Sequence, residues 1–295
     1  MIQNLSTETR NQHTMNLDDM NTGDFLKVMN QEDHKVPQAV QKEINSIEKA
    51  VHLVVDSFQS GGRLIYIGAG TSGRLGILDA VECPPTFGTS FEKVQGLIAG
   101  GERAIMKAVE GAEDDSRLAA EDLRELCLNK NDTVVGLAAS GRTPYVKGGL
   151  AYAKETGAHS VAVSCNKEAE ISQYADVAIE VMVGPEVITG STRLKSGSAQ
   201  KLVVNMISTG AMVGIGKVYG NLMVDVQLTN EKLVERAKNI IALATGVPYE
   251  TAEIYLKLSG SKPKVAIVMI EKECSKEEAE VSLETANGFV RHAIN

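Results

Sequence analysis

The sequence predicts an α/β fold in which a parallel sheet is covered by helices on both faces. Between about residues 63 and 217, short apolar runs rich in β-branched residues alternate with segments of helical periodicity. Alternation of strand and helix implies right-handed crossovers and parallel strands buried on both faces. The predicted strands cover residues 63–67, 93–98, 133–137, 160–164 and 177–181.

The predicted helices of this central region fill the spaces between the strands. They cover residues 74–83, 102–111, 115–126, 144–156 and 198–215. Pro84 and Pro85 are expected to end the first of them, because proline lacks the N–H that continues a helix.

Helical segments flank the sheet region on both sides, so the predicted division is 1–60, 61–222 and 223–295. The first 22 residues are polar and predicted to be irregular, followed by a short helix at 24–29 and a longer one after Pro37 that ends at Gly61. In the C-terminal module, helices are predicted at 229–244 and 248–258 and a strand at 264–270. Ser275 and Glu278 have the spacing of a capping box for a final helix.

Composition excludes several classes of protein. The formal net charge is -8 over 295 residues, which disfavours nucleic acid as a partner. No apolar run reaches the roughly 18 to 20 residues that span a bilayer, and the N-terminus lacks the pattern of a signal peptide. The four cysteines and five histidines have no metal-ligand spacing. We therefore expect a cytoplasmic protein without membrane contact or a bound metal.

The first of two turns that contain Ser-Gly-Arg follows the strand at 63–67. Its Gly68–Gly73 segment matches the dinucleotide pattern GxGxxG, but hydroxyl side chains, Thr71 and Ser72, lie between the glycines. The acidic residue expected about 20 positions further on is missing, since Glu92 stands at the start of the next strand. A phosphate contact is favoured, while a dinucleotide site and a turn without ligand remain open.

The second Ser-Gly-Arg turn follows the strand at 133–137. Ser140 and Thr143 can donate to a phosphate oxygen, and Gly141 lets the backbone come close to it. Pro144 suits the first helical position, so the helix N-terminus would point at the same anion. A plain helix cap is the alternative. Together, the two turns predict that Thr71, Ser72, Ser140, Gly141 and Thr143 contact one phosphate at the strand ends of one sheet.

A third polar stretch covers residues 190–201. Its Ser191 is predicted to contact sugar hydroxyls and its Lys195 an anionic group, and a solvated loop without a ligand is the alternative.

Glu82 and Glu113 are the candidate acid and base. For Glu113 the alternative is a solvated acidic run. No GxSxG motif supports a nucleophilic serine.

The motifs, taken in order, resemble the N-acetylmuramic acid 6-phosphate etherase family of the sugar isomerase (SIS) superfamily, which also includes the glucokinase regulatory protein. The resemblance covers nearly the whole chain from about residue 17. It rests on Gly68–Gly76, Glu82–Thr86, Glu110–Asp114, Ala138–Tyr145 and Gly184–Gly197. It implies a three-layer SIS domain and cleavage of the D-lactyl ether of the sugar phosphate, with no metal or organic cofactor. It also implies a homodimer whose site lies near the subunit boundary.

The resemblance further implies roles for the two glutamates. Glu82 would protonate the departing lactate oxygen and Glu113 would act as the base at C2 of the sugar. Glu82, beside Cys83 and two prolines, is expected to be the more desolvated of the two. A regulator of the same fold that binds sugar phosphate without turnover is the main alternative, and an NAD-dependent oxidoreductase is a more distant one.

Overall fold

A five-stranded parallel sheet forms the centre of the fold, in the computed structural model that describes residues 5–228 and 230–295. The strand order is β2-β1-β3-β4-β5, and the predicted α/β class is confirmed. Each strand predicted between residues 63 and 217 is present, with ends that shift by one residue or none. The strands are β1 (Leu64–Gly68), β2 (Val94–Ile98), β3 (Thr133–Leu137), β4 (His159–Ser164) and β5 (Val177–Glu180).

Helices cover both faces of this sheet. They are α1 (Thr22–Asp33), α2 (Lys35–Gln41), α3 (Ile44–Gln59), α4 (Gly70–Phe87), α5 (Arg103–Met106), α6 (Leu118–Glu125), α7 (Pro144–Thr156) and α8 (Lys195–Gly214). On one face Ile65 and Ile67 pack in a cluster with Tyr145 and Leu150 of α7. On the other face the Tyr66 hydroxyl donates to Asp79 of α4 at 2.8 Å. Strands β1 and β3 are buried along their whole length, as expected for a sheet covered twice.

The single helix predicted after Pro37 is divided into α2 and α3, and two of the helices predicted in the sheet region are corrected. Helix α4 does not end at residue 83, because it contains both Pro84 and Pro85 and closes with a bond from the Gly88 N–H to the Pro84 carbonyl. The fixed φ of proline is a helical one, so the helix continues through both residues, although neither donates an N–H to the carbonyl four residues earlier. Helix α5 covers only part of the predicted segment 102–111.

Two compact units divide the described chain. One comprises the residues up to Val81 together with Glu92–Ser208, and the other comprises Glu82–Phe91 and Thr209–Asn295. These units differ from the predicted division at residues 60 and 222. The N-terminal helices belong with the sheet because α3 packs on β1, β3 and β5, where Ser57 lies 2.7 Å from the hydroxyl of Thr133.

The second unit is mostly helical. It contains the hairpin β6 (Val218–Tyr219) and β7 (Leu222–Met223), and the helices α9 (Glu231–Thr245), α10 (Tyr249–Leu258), α11 (Pro263–Lys272), α12 (Lys276–Thr285) and α13 (Val290–Ile294). The predicted strand at 264–270 is wrong, because those residues form α11. The capping box of Ser275 and Glu278 is confirmed. The predicted start of α9 at Thr229 lies outside the described residues, and Asn230 caps this helix.

Within residues 5–228 and 230–295, none of the helices combines the length and the apolar character needed to cross a bilayer.

Candidate functional site

A cleft of about 310 Å³ opens beside the second Ser-Gly-Arg turn, at the carboxyl end of β3. Ser140, Thr143 and Glu113, all singled out in the sequence, line it together. The remaining lining residues are Leu5, Glu8, Asp114, Arg142 and Pro144. The structure therefore brings two predicted phosphate contacts and one predicted catalytic carboxylate to the same cleft.

The turn is shaped by a glycine and a proline. Gly141 has φ of 73°, in the left-handed region that a side chain disfavours, and its N–H donates to the Ala138 carbonyl at 2.9 Å. Pro144 then occupies the first turn of α7. The Thr143 hydroxyl forms no capping bond to the helix. This leaves it available to a ligand, next to the N–H groups of the first helical turn.

The side chain of the arginine in the second turn forms an ion pair with a glutamate. The Arg142 side chain lies 3.1 Å from Glu170, which also accepts from Lys147 at 2.8 Å. The hydrogen bond from Lys147 lowers the pKa of Glu170 from its ordinary value. Glu170 thus remains ionised and partly neutralises both cations near the start of α7.

The first Ser-Gly-Arg turn has a different structure. Helix α4 begins at Gly70, so Thr71 and Ser72 stand in its first turn. Ser72 is buried, and its hydroxyl donates to the Gln200 side-chain oxygen at 2.8 Å. The Gln200 amide nitrogen is buried without a hydrogen-bond partner in the part of the chain that the structure describes. Ser72 and Gln200 therefore form a buried polar pair with one donor group still unused.

A second cleft, of about 450 Å³, lies against this first turn. Its polar and charged lining residues are Asp33, Thr71, Arg193, Ser198 and Lys201. Val36, Pro37, Leu75, Gly197 and Leu202 complete the lining. In the single chain, the hydroxyls predicted to meet one phosphate are thus divided: Thr71 lines this cleft, and Ser140 and Thr143 line the other.

Lys195, predicted to meet a ligand anion, begins α8 and is 1% exposed. Its ammonium lies 2.7 Å from Glu32, which is also buried. Burial alone would raise the pKa of Glu32, but hydrogen bonds from Lys195 and neighbouring cations hold this pKa well below its ordinary value. Because the Lys195 ammonium is committed to this buried ion pair, its predicted ligand contact is not supported by the arrangement.

The other members of the third polar stretch are distributed around the start of α8. Glu186 accepts from the Lys195 N–H and from the backbone and hydroxyl of Ser196, each at 2.9 Å. Ser191 is half-buried and lines neither of the two clefts. Arg193 and Lys201, the cations that line the cleft beside the first turn, were not selected from the sequence, where only their position in a polar stretch could have indicated them.

The two candidate catalytic carboxylates are both exposed in the single chain. Glu113 lies in a short 3₁₀ turn, Ala112–Asp114, at the edge of the Ser140 cleft. Glu82 lies on α4 and belongs to the second compact unit. The expected desolvation of Glu82 is not found in this chain, because neighbouring Cys83 and Pro84 are buried while Glu82 projects outward.

Each turn is also supported by a buried tyrosine that donates to an aspartate, buried Asp79 in one case and half-buried Asp122 in the other, and sequence reasoning identified neither pair. Burial raises the pKa of Asp79 to about 6, although Tyr66 and Ser208 donate to it. Near the second turn, the Tyr145 hydroxyl donates to Asp122 at 2.6 Å, and burial raises the pKa of Asp122 as well. Hydrophobic patterning alone does not indicate such pairs.

Comparison with protein families agrees with this fold. Residues 46–154 match the model of the glucokinase regulatory protein N-terminal SIS domain, and residues 113–209 match the SIS domain model. An N-acetylmuramic acid 6-phosphate etherase of Bacillus cereus (strain 03BB102) is 62% identical over 100% of both chains. The chain belongs to the N-acetylmuramic acid 6-phosphate etherase family.

Other members of the etherase family are equally similar along their full length. The Bacillus anthracis (strain CDC 684) protein is 62% identical and the Bacillus cytotoxicus protein 63% identical, each over 100% of both chains. A solved structure from Bacteroides fragilis, assigned as a phosphosugar isomerase involved in capsule formation, has a TM-score of 0.50 at 18% identity. The match covers 65% of this chain and 91% of that one. This last similarity concerns the fold alone.

Proposed function

We propose that this chain cleaves the D-lactyl ether of N-acetylmuramic acid 6-phosphate, releasing N-acetylglucosamine 6-phosphate and D-lactate. The main support is the cleft that Glu113 shares with Ser140 and Thr143, in a chain 62% identical to etherases over its full length. A base next to hydroxyl donors suits proton removal from a sugar anchored by its phosphate.

The 6-phosphate is proposed to bind at the second turn. Ser140 and Thr143 supply hydroxyl donors, Gly141 permits close approach, and the N-terminus of α7 favours negative charge. Thr71 and Ser72 of the first turn stand at the end of β1, the neighbour of β3. We propose that they complete the contacts to the same ligand.

The proposed reaction is an elimination followed by a hydration. In the open-chain sugar, the C2 hydrogen is acidified by the C1 aldehyde, and Glu113 removes it. Glu82 protonates the lactate oxygen on C3 as that bond breaks, leaving an α,β-unsaturated aldehyde. Water then adds at C3 and a proton returns to C2, which gives the product. Two carboxyl groups, one ionised and one protonated, provide the acid and base required.

The opposite protonation states of the two glutamates require different environments. Both side chains are exposed in one chain, so substrate or a second subunit has to cover Glu82. We propose a cytoplasmic homodimer with the site near the subunit boundary. Light scattering is expected to give twice the mass of one chain, and a monomer at working concentration would contradict the dimer.

The roles of the two glutamates can be separated by isotope exchange. Glu82→Gln is expected to keep exchange of the C2 hydrogen with solvent deuterium and to lose release of D-lactate. Glu113→Gln is expected to lose both. Loss of exchange with elimination intact in Glu82→Gln would contradict the assignment.

A coupled D-lactate assay tests the function itself. Lactate release from N-acetylmuramic acid 6-phosphate is expected from the purified chain. Binding of the sugar phosphate without any lactate release would instead indicate the regulator of the same fold.

A further inference from the structure

The cleft beside the first turn is lined by two cationic side chains that have no role in the function proposed above. Arg193 and Lys201 line it, against a single carboxylate, that of Asp33, so the charged lining carries one net positive charge. The Arg193 guanidinium has no ion-pair or hydrogen-bond partner within residues 5–228 and 230–295. A cationic cleft with an uncommitted guanidinium is suited to a carboxylate or phosphate.

Lys201 is held in place but still has donors to offer. In the orientation of the Asn205 amide that satisfies both of its polar atoms, the amide oxygen accepts from the Lys201 ammonium at 2.7 Å. An ammonium has three N–H donors, so two remain for a ligand. Thr71 and Ser198 add hydroxyl groups to the same lining.

Apolar side chains form the rest of the cleft. Val36, Leu75 and Leu202 line it beside the polar groups, and Val36 is 2% exposed. The cleft thus combines cations and hydroxyls with an apolar surface large enough for a methyl group. A lactyl group has the same combination, since it consists of a carboxylate and a methyl on one carbon.

The walls of this cleft are joined by buried polar contacts. The ion pair between Glu32 and Lys195 connects α1 to the start of α8, and the hydrogen bond from Ser72 to Gln200 connects α4 to α8. A Cβ on Gly197 would lie 3.6 Å from the Thr71 methyl, so α8 already packs against the first turn. Buried Lys195 therefore helps to fix the positions of the helices around the cleft. Helices that are fixed before binding lose little conformational entropy when the ligand binds.

The two clefts open at neighbouring strand ends. Strands β1 and β3 are paired, with Gly68 opposite Leu137, and adjacent strands lie about 4.8 Å apart. The first turn follows β1 and the second follows β3. The turns beside the two clefts therefore begin at the ends of adjacent strands, as two anionic groups on one small sugar require.

We propose that the Arg193–Lys201 cleft binds the lactyl carboxylate of the substrate, with the lactyl methyl against its apolar wall. This inference rests on the proposed etherase function. It assigns the two anionic groups of the substrate to two different clefts. It also makes Arg193 and Lys201 determinants of specificity for the 3-O-substituent, since the product N-acetylglucosamine 6-phosphate carries no such group.

The difference between substrate and product provides the test. Arg193→Gln and Lys201→Gln are compared with Lys49→Gln, which removes an exposed cation on α3 outside the cleft. We expect kcat/KM for lactate release to fall about tenfold to a hundredfold in the first two variants, as for loss of a charged hydrogen bond. The Kd of N-acetylglucosamine 6-phosphate, measured by calorimetry, is expected to stay within about twofold of the wild-type value, because the phosphate contacts are intact.

A substrate analogue with a lactamide in place of the lactate isolates the charge. The wild-type protein and Lys49→Gln are expected to prefer the acid over the amide, and Arg193→Gln is expected to lose most of that preference. An unchanged preference in Arg193→Gln would overturn the proposal. An equal loss of affinity for the product would also overturn it, because the cleft would then hold the phosphate.

Failure of the proposed function would have a different signature. If the wild-type protein releases no lactate from N-acetylmuramic acid 6-phosphate, the etherase assignment fails. Calorimetry would then still compare N-acetylmuramic acid 6-phosphate with N-acetylglucosamine 6-phosphate in wild type and Arg193→Gln. Tighter binding of the lactyl sugar that disappears in the variant supports the cleft assignment, and equal affinities in wild type refute it.

Discussion

The two Ser-Gly-Arg turns have the same central tripeptide but different structures. In the first, Ser72–Arg74 is already helical, because α4 begins at Gly70. In the second, Ser140–Arg142 precedes the helix, which begins only at Pro144. The side chains follow: Ser72 is buried on Gln200, whereas Ser140 lines an open cleft and accepts from the Arg142 N–H. The position of the helix start therefore decides which serine lines an open cleft.

The arginines of the two turns differ in the same way. Arg74 donates to the carbonyls of Ala104 and Ile105, so it ties α4 to the short helix α5. Arg142 instead pairs with Glu170 beside the cleft. The same tripeptide thus packs α4 against a neighbouring helix in the first turn and lines an open cleft in the second.

The largest expected effect is the loss of stability when a glycine in either turn is replaced by alanine. In Gly141→Ala, a Cβ at φ of 73° would lie 2.5 Å from the Ala169 Cβ, which adds a clash to backbone strain. We expect a loss of about 4 kcal/mol in the free energy of unfolding. Gly70→Ala has φ of 53° but open space around the Cβ, so about 1 kcal/mol is expected. Urea unfolding measures both, and equal losses would contradict the difference between the turns.

The next effect depends on pH and concerns Asp79 and Asp122, the two aspartates that accept from a buried tyrosine. The folded pKa of Asp79 is about 6, above the unfolded value of 3.8, so its contribution to stability is present below pH 4 and lost as pH rises to about 6. Asp79→Asn is expected to remove up to about 3 kcal/mol of this pH dependence. Asp122→Asn, at the less buried pair near the second turn, is expected to change it less. Unfolding measured from pH 4 to pH 7 tests this, and parallel curves for Asp79→Asn and wild type would refute it.

Ligand affinity is expected to separate the two serines. Ser140→Ala is expected to raise the Kd of N-acetylglucosamine 6-phosphate about tenfold, as for one hydrogen bond to a charged group. Ser72→Ala is expected to raise it less, about threefold, because the Ser72 proton is shared with Gln200. Calorimetry on both variants measures the difference, and an unchanged Kd in Ser140→Ala would contradict the proposed phosphate site.

The smallest expected effect on affinity comes from changing Gln200, which accepts the hydrogen bond of the Ser72 hydroxyl. In Gln200→Glu a carboxylate can only accept, so it holds the Ser72 proton and places a negative charge near the first turn. We expect an affinity for the sugar phosphate about twofold weaker, and a smaller effect of the same change in a Ser72→Ala background. Equal effects in both backgrounds would show that Gln200 does not act through Ser72.

Sequence patterns predicted the sheet because strand and turn signals coincide there. The apolar run 133–137 is bounded by Asp132 and a glycine-rich turn, and its ends agree with β3. The run 264–270 is equally apolar but forms α11, with Pro263 in its first turn and Val265–Met269 all buried. A short apolar run that is buried on every side carries no periodicity that distinguishes strand from helix.

The site was predictable where it depends on local turns, and less so where it depends on tertiary pairing. Ser140, Thr143 and Glu113, which the sequence singled out, line one cleft, and their contacts to a ligand remain a prediction. The burial of Lys195 depends on Glu32, which is 163 positions away in the chain and has no local signal. The ligand-facing role proposed for Arg193 likewise depends on which of two nearby cations the tertiary structure buries.

The composition of the second compact unit affects how the chain can fold during synthesis. Residues 82–91 belong with Thr209–Asn295, and a Cβ on Gly88 would lie 2.0 Å from the Asp225 carbonyl oxygen. A ribosome that adds about 5–20 residues per second makes the partners of this segment roughly ten seconds after the segment itself. Until then, residues 82–91 lack the partners that this unit gives them in the folded protein, so the unit cannot be completed before its last part is made.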